Sequence, residues 1–244
     1  MFLDSLPPPE KRLQLTDTFH FSCHKDLSCF NRCCRNKHLP LTPYDVLRIK
    51  NALSIHSDDF LAQYVVYRPD PSSGFPVLSL KMGDGERLCP FVDKDGCRVY
   101  NDRPTACRLF PLGRSSGIGR DGTSHEEFFY LLDTPDCEGI EEKRAQSVEE
   151  WRDGQGLLPY IEMNDRILEI VFHPEKDPSR PLDQRQQQKV MVACYNVDMF
   201  REFVFNTRFL ELYRIDKDTR NKAMEDDIGL LTLGFSYLKK TLYA

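Results

Sequence analysis

The sequence contains no run of about 18 apolar residues, so it predicts no membrane-spanning helix. Its start, MFLDSLPPPEKRLQL, has neither a basic n-region nor an apolar stretch behind one, and so does not read as a secretory signal. It also lacks a basic field. Lys and Arg number 33 against 38 Asp and Glu, a net charge of −5 with both signs spread along the chain. A phosphate backbone would find no complementary stripe, which argues against a nucleic-acid partner. No nucleophile elbow, phosphate loop or paired-histidine motif is present, and Gly113–Gly122 contains glycine without a strand-then-helix setting for a cofactor loop. These absences predict a cytoplasmic protein with no membrane and no nucleic-acid partner.

Cysteine is what the sequence has in excess. Of nine, Cys23, Cys29, Cys33 and Cys34 crowd into one short segment; Cys89, Cys97 and Cys107 form a second group; Cys137 follows and Cys194 stands apart. Scattered core thiols rarely cluster in this way. Disulfides need an oxidising compartment, and an odd count fits them poorly. Metal ligation by Cys23, Cys29, Cys33, Cys34, Cys89, Cys97, Cys107 and Cys137 is the remaining reading. Soft thiolates select zinc, copper(I) or iron–sulfur centres. Eight thiolates exceed what one mononuclear site uses, so two sites or an iron–sulfur cluster are expected, with the cluster slightly preferred over zinc. Neighbouring Cys33 and Cys34 point in different directions in most backbones, so they are expected to serve different sites. Four thiolates on one zinc ion leave a charge of −2, and Arg32, Arg35, Lys37, Arg98, Arg103 and Arg108 lie within four residues of a cysteine. For any one of these cations an ordinary solvated role is the blander expectation. His24 and His38 are alternative ligands beside the first group, although solvated loop histidines are the simpler reading; His20, His56, His125 and His173 have no evident partners. Cys194, in an apolar helical stretch, reads as a core thiol.

Local patterns place these residues. Residues 1–18 read as a flexible arm and 23–38 as a loop. Thr42 caps a helix with Pro43 at its first position, running to about Leu53 with Val46, Leu47 and Leu53 inward. Ser57 is read as the cap of the next helix, whose inner face carries Phe60, Leu61, Tyr64 and Val65. Residues 76–82 alternate like a strand. Segments 88–92 and 97–100 flank the turn Asp93–Gly96 as a hairpin. Asp102 caps a short helix to Leu109 that carries Cys107. Residues 127–132 are a strand. Ser147 and Glu150 form a capping box, followed by helices near 147–153 and 157–172. Residues 173–188 read as a linker. Helices cover 190–214, broken near Asn196, and 221–242, with a stripe of Ile228, Leu231, Phe235, Leu238 and Leu242. The fold class is therefore mainly α with a small antiparallel β element and a cysteine-rich, metal-stapled N-terminal half. The division expected is an arm over 1–18, a metal-binding domain over 19–140 and a helical region over 141–244. The spacer predicts that the last helices hold together independently of the metal-binding part.

The string Cys23-x5-Cys29-x3-Cys33-Cys34, then Leu41-Thr42-Pro43-Tyr44-Asp45, Cys89-Pro90-Phe91, Gly96-Cys97-x-Val99-Tyr100 and Arg103-Pro104-x-x-Cys107-Arg108-x-Phe110-Pro111-Leu112, resembles the YkgJ-like cysteine-cluster family. These proteins carry a zinc- or iron-chelating domain named for a CxxCxxCC pattern, and the resemblance covers about residues 19–140. The first gap here is five residues rather than two. The resemblance implies bound zinc or iron and an unidentified protein or redox partner. It also implies a minority alternative, methyl transfer, because flagellin lysine methylase couples such a domain to that reaction. A third class is an interaction protein in which metal only staples the fold.

Overall fold

The structure, a computed structural model, describes residues 7–118, 125–177 and 179–243. The first six residues of the expected arm, and Gly119 and Gly122 of the glycine-containing segment, lie outside the described residues, as does the side chain of His125. In chain order the elements are β1 (Thr18–His20), β2 (Pro40–Leu41), α1 (Pro43–Ala52), α2 (Ser57–Tyr64), β3 (Val65–Pro69), β4 (Pro76–Leu80), β5 (Val92–Asp93), β6 (Gly96–Cys97), α3 (Thr105–Leu109), β7 (Leu112–Ile118), β8 (His125–Leu131), β9 (Ala145–Ser147), α4 (Val148–Gly154), α5 (Leu158–Val171), α6 (Gln184–Val190), a π-helical turn (Met191–Tyr195), α7 (Val197–Phe205), α8 (Phe209–Leu212), α9 (Lys217–Glu225) and α10 (Asp227–Thr241). Every strand pairing between these elements is antiparallel: β2-β4-β3, β1-β9, β5-β6 and β7-β8. The mainly helical class with small antiparallel sheets is thus observed. No described helix is long and apolar enough to cross a membrane.

Helix starts follow the local chemistry. Thr42 Oγ accepts from Asp45 N–H at 3.2 Å while Asp45 accepts from Thr42 N–H at 2.9 Å, a reciprocal capping box before α1. Ser147 and Glu150 do the same for α4. Other starts differ from expectation. Ser57 is the first residue of α2, not its cap: its N–H and Oγ–H both donate to Asp198 on α7, at 2.7 and 2.8 Å. The linker ends early, because Asp183 and Gln186 form a capping box that opens α6. The last helical stretch is two helices. Asp226 is extended and caps α10 through Gly229 N–H at 2.6 Å, which turns Ile228 outward, while Leu231, Phe235, Leu238 and Leu242 stay buried.

The larger core takes residues from both sides of segment 173–183: Leu47, Ile49, Phe60 and Leu78 pack in one cluster with Ile170, Phe200, Leu230 and Leu238. Leu182, within that segment, is buried in it. Buried Lys50 of α1 adds an ionic tie, 3.2 Å from Asp198 of α7 and 3.3 Å from Asp227 of α10. Cys194 is fully buried in this core. A smaller core joins Phe19, Phe21, Leu109, Leu112, Phe129, Val148 and Leu157. Trp151 stands edge-on to Phe19 and Phe21 at 6.1 and 5.3 Å, and its indole N–H donates to Leu109 O at 3.1 Å. That one side chain anchors β1, which leads into Cys23, and the end of α3, which carries Cys107. Part of the expected arm is also held: Leu13 exchanges two backbone bonds with Phe129, at 2.7 and 2.9 Å.

Candidate metal centre

The cysteine loop is wound by local turns. Arg32 N–H donates to Cys29 O at 2.9 Å and Cys34 N–H to Asn31 O at 3.0 Å, and a 3₁₀ turn spans Arg32–Cys34. Two sets of ties then bring the distant cysteines to this loop. On one side Cys89 N–H donates to Cys34 O at 2.8 Å, Asn36 N–H to Arg87 O at 2.9 Å, and Arg35 bridges to Leu88. On the other, Ser22 N–H donates to Gly139 O at 3.0 Å, and Ser28 N–H and Oγ–H both donate to the Glu138 carboxylate. Cys34 is thereby joined to Cys89, and the segment around Cys23 and Cys29 to Cys137.

The hairpin bearing Cys97 is shorter than the pattern suggests. Only Val92–Asp93 and Gly96–Cys97 pair, and Cys89 precedes the ladder. Gly96 sits at φ +123°, which L side chains rarely adopt, and Asp93 Oδ1 accepts from Asp95 N–H at 2.8 Å to close the turn. The helix carrying Cys107 starts at Thr105 rather than Arg103, and Asp102 does not cap it. Asp102 pairs instead with Arg48. The capping carboxylate comes from another element: fully buried Asp45 accepts from Thr105 N–H and Oγ–H, each at 2.7 Å, with the oxygen not used on Thr42.

Gly139 shows how tightly the second tie is packed. A Cβ there would stand 2.6 Å from Ser22 O and 2.9 Å from the Phe21 ring. Gly139→Ala is therefore expected to push the Cys137 segment off the loop and to destabilise the protein by about 1–3 kcal/mol. A lowered midpoint in urea unfolding checks this, and an unchanged midpoint contradicts the contact.

The thiols perturb one another in two neighbourhoods. Loss of water raises Cys23 from 9.0 to about 11, and the charges of Cys33, Cys137 and Cys29 add to it. Cys137 is raised by burial and by Cys29 and Cys33. Cys107 presents one side to solvent but is packed on the others. That packing raises its thiol, followed by Cys89 and Cys97. Cys89 is raised by burial and by Cys97, and Cys97 chiefly by burial. Between the neighbourhoods, Cys34 donates a hydrogen bond to Cys33, which lowers Cys33 to about 7 and raises Cys34. The chain thus brings Cys89 to Cys34, and the Cys137 segment to the part of the loop that carries Cys23 and Cys29. Among the described residues no three Cys, His, Asp or Glu side chains stand close enough together to hold an ion as they are. His38 is engaged with Ser79 at 3.1 Å, whereas Nδ1 of His24, beside Cys23, is buried without a hydrogen bond.

These shifts set a pH dependence for the metal-free protein. A thiol raised by folding keeps its proton where the unfolded chain has lost it, so its stabilisation is complete below pH 9 and is lost as pH rises, through about 11 for Cys23. Seven thiols, Cys194 of the core among them, are raised and only Cys33 is lowered, so the net effect follows the seven. Under reductant, the metal-free protein is expected to lose about 1 kcal/mol per raised thiol above pH 9, after allowance for solvent screening. Urea midpoints at neutral and alkaline pH measure this, and a flat profile contradicts it.

Comparison with known families supplies the chemical class. Residues 22–138 match the model described as "CxxCxxCC: Putative zinc- or iron-chelating domain". The matched segment is similar to that domain and makes up just under half of the chain. Its two ends meet in space, since Ser22 bonds to Gly139 one residue beyond the match. The zinc or iron–sulfur cofactor expected from the cysteines agrees with the zinc or iron that the family chelates. Searches among curated proteins and among solved structures gave no match.

The residues fit such a metal: soft thiols, free of disulfides, with Cys34 and Cys89 joined through the backbone. The sequence did not disclose Asp45, Glu138 or Gly139. Asp45 was legible as the third residue of a capped helix, but its bond to Thr105 is tertiary.

Proposed function

We propose that the chain is a metal-binding protein with two thiolate centres, one ligated by Cys23, Cys29, Cys33 and Cys137, the other by Cys34, Cys89, Cys97 and Cys107. The observation that carries this reading is the pair of backbone ties on opposite sides of the loop, Cys34 to Cys89 and Ser22 to Gly139. They bring Cys89 to Cys34 and the Cys137 turn to the start of the loop, which supports a division at the Cys33–Cys34 step. Cys23 and Cys137 respond to one another's set alone, Cys34 responds to Cys89 and Cys107, and Cys33 acts on members of both sets, as expected for a residue at the step between them. Metal there would staple the loop to the hairpin and α3 on one side and to the Cys137 turn on the other. Binding free energy at a site that the unfolded chain lacks becomes folding free energy. Nine free thiols fit a reducing compartment such as the cytoplasm.

A second reading, electron transfer through iron–sulfur centres, is favoured by exposure. Cys23, Cys33 and Cys107 are all exposed, so charge on such a centre is within reach of a docked redox partner. Methyl transfer has no such support: Leu112–Ile118 is one arm of a hairpin and opens no helix. Anaerobic purification followed by absorbance, elemental analysis and acid-labile sulfide decides between the two. Brown protein with sulfide supports electron transfer. Colourless protein with stoichiometric zinc leaves the structural staple, and protein without either metal removes both.

A further inference from the structure

The structure sorts the six cations near the cysteines. Arg32, Arg35, Lys37 and Arg98 are exposed, and Arg35 is paired with Glu86. Arg103 and Arg108 are only 8% and 7% exposed. Neither has a carboxylate within ion-pair distance among the described residues. Arg103 donates to Tyr100 O at 2.5 Å and to the Gln155 side chain; Arg108 donates to Arg103 O at 3.1 Å, Gln155 O at 2.6 Å and Asn101 O. Their guanidinium groups also lie over aromatic rings, Arg103 at 3.8 Å from the Tyr100 centroid and Arg108 at 4.5 Å from that of Tyr160. All these partners are neutral. The one buried carboxylate nearby, Asp45, gives its oxygens to Thr42 and Thr105.

Buried charges in proteins are paired, because a lone one is costly to remove from water. Two buried guanidiniums with no carboxylate to pair with therefore call for an anion. Arg103 lies on the chain between Cys97 and Cys107 and within electrostatic reach of both sulfurs, whereas Arg108 spends its donors on the carbonyls of Asn101, Arg103 and Gln155. Four thiolates around a divalent ion carry a net charge of −2, the kind of anion that Arg103 lacks.

We propose that Arg103 is the built-in counter-charge of the centre at Cys34, Cys89, Cys97 and Cys107 and sets its metal affinity, with Arg108 holding the Asn101–Arg103 segment in place through its carbonyl bonds. This rests on the ligand division proposed above. Among the described residues the cations that neighbour the first set in sequence, Arg32 and Lys37, are exposed to solvent. The two centres therefore differ: the second is charge-compensated from inside the protein, and the first by solvent and salt.

The test loads the full chain with zinc and withdraws it with a chromophoric chelator at neutral pH, in low and high salt. In Arg103→Gln one zinc equivalent is expected to leave about 10- to 100-fold more readily, with the other unchanged. The difference persists in high salt because the charge is buried. Arg103→Lys, which restores the charge without the fork, recovers most of the loss. Arg32→Gln shifts release slightly, and only in low salt. Arg108→Gln removes three carbonyl contacts and can unfold α3; Arg103, with fewer ties, carries the test alone in that case. Release of both equivalents from Arg103→Gln at the wild-type rate overturns the proposal. So does a lysine variant no better than glutamine, which would make the role geometric. Failure of the ligand division shows separately, as a Cys107→Ser variant that still holds both equivalents.

Discussion

Stripping metal from the anaerobically purified protein is expected to open residues 22–38 and 83–90 while leaving α7 and α10 closed. Up to Phe91, which is fully buried in the larger core, these segments bury little besides Cys29. Between Arg32 and His38 every residue but Cys34 is exposed, and in 83–90 none is buried. What holds them is a handful of backbone bonds and, in the proposed reading, the metal. Free energy of binding to a structural thiolate site reaches about 10 kcal/mol, more than those few bonds offset. By contrast Phe200, Leu230 and Leu238 are fully buried in the larger core. Hydrogen exchange with and without chelator measures the effect segment by segment. Protection lost equally in α10 contradicts a local role for metal, and no loss in the loop contradicts stapling. Because α1 and α2 share the core of α7 and α10, the part that loosens is narrower than the whole cysteine-rich half anticipated from the spacer at 173–188.

The second large effect is expected from Asp45→Ala. The substitution removes the cap partner of Thr42 N–H and strips Thr105 of the acceptor for both its N–H and its hydroxyl, all inside the protein. A lost cap costs about 1 kcal/mol, and each buried donor left unpaired about 1–3 kcal/mol. A loss of about 3–5 kcal/mol follows, large against the total stability of about 5–15 kcal/mol usual for a domain. Since Thr105 begins the helix that carries Cys107, metal retention should weaken as well. Asp45→Asn, which keeps one acceptor oxygen, is expected to fall between the two. Urea unfolding of the three proteins measures this; an alanine variant within about 1 kcal/mol of wild type contradicts the keystone role, that being the ordinary worth of the cap alone.

How far the sequence disclosed this molecule depends on the range of the interaction involved. The cap at Thr42, the capping box at Ser147, the strand expected over 76–82 and found at Pro76–Leu80, and helix α5 were legible because three or four neighbouring residues decide them. The break at Asp226 was hidden, since the apolar stripe continues across it and only the extended backbone of one residue interrupts the helix. The β7 strand was missed because its sequence, LGRSSGI, alternates poorly and is held by pairing with β8 and by Arg114, whose guanidinium reaches Asp165 of α5 at 2.8 Å. At the site, the cysteines announced their chemistry through their spacing. The elements that bring them together did not, because Asp45–Thr105, Ser22–Gly139 and Cys34–Cys89 each join residues more than fifty positions apart. The same holds for the cations: six looked alike in sequence, and burial alone singled out Arg103 and Arg108.

The account turns on two sets of four thiols divided between Cys33 and Cys34. Its most direct test is the number of metal centres per chain, by elemental analysis, in the anaerobically purified wild type, in Cys23→Ser, in Cys107→Ser and in the double variant. The division predicts two centres, then one in each single variant, then none. A wild type with a single centre that either substitution alone abolishes would contradict it and mean that both cysteine groups feed one cluster.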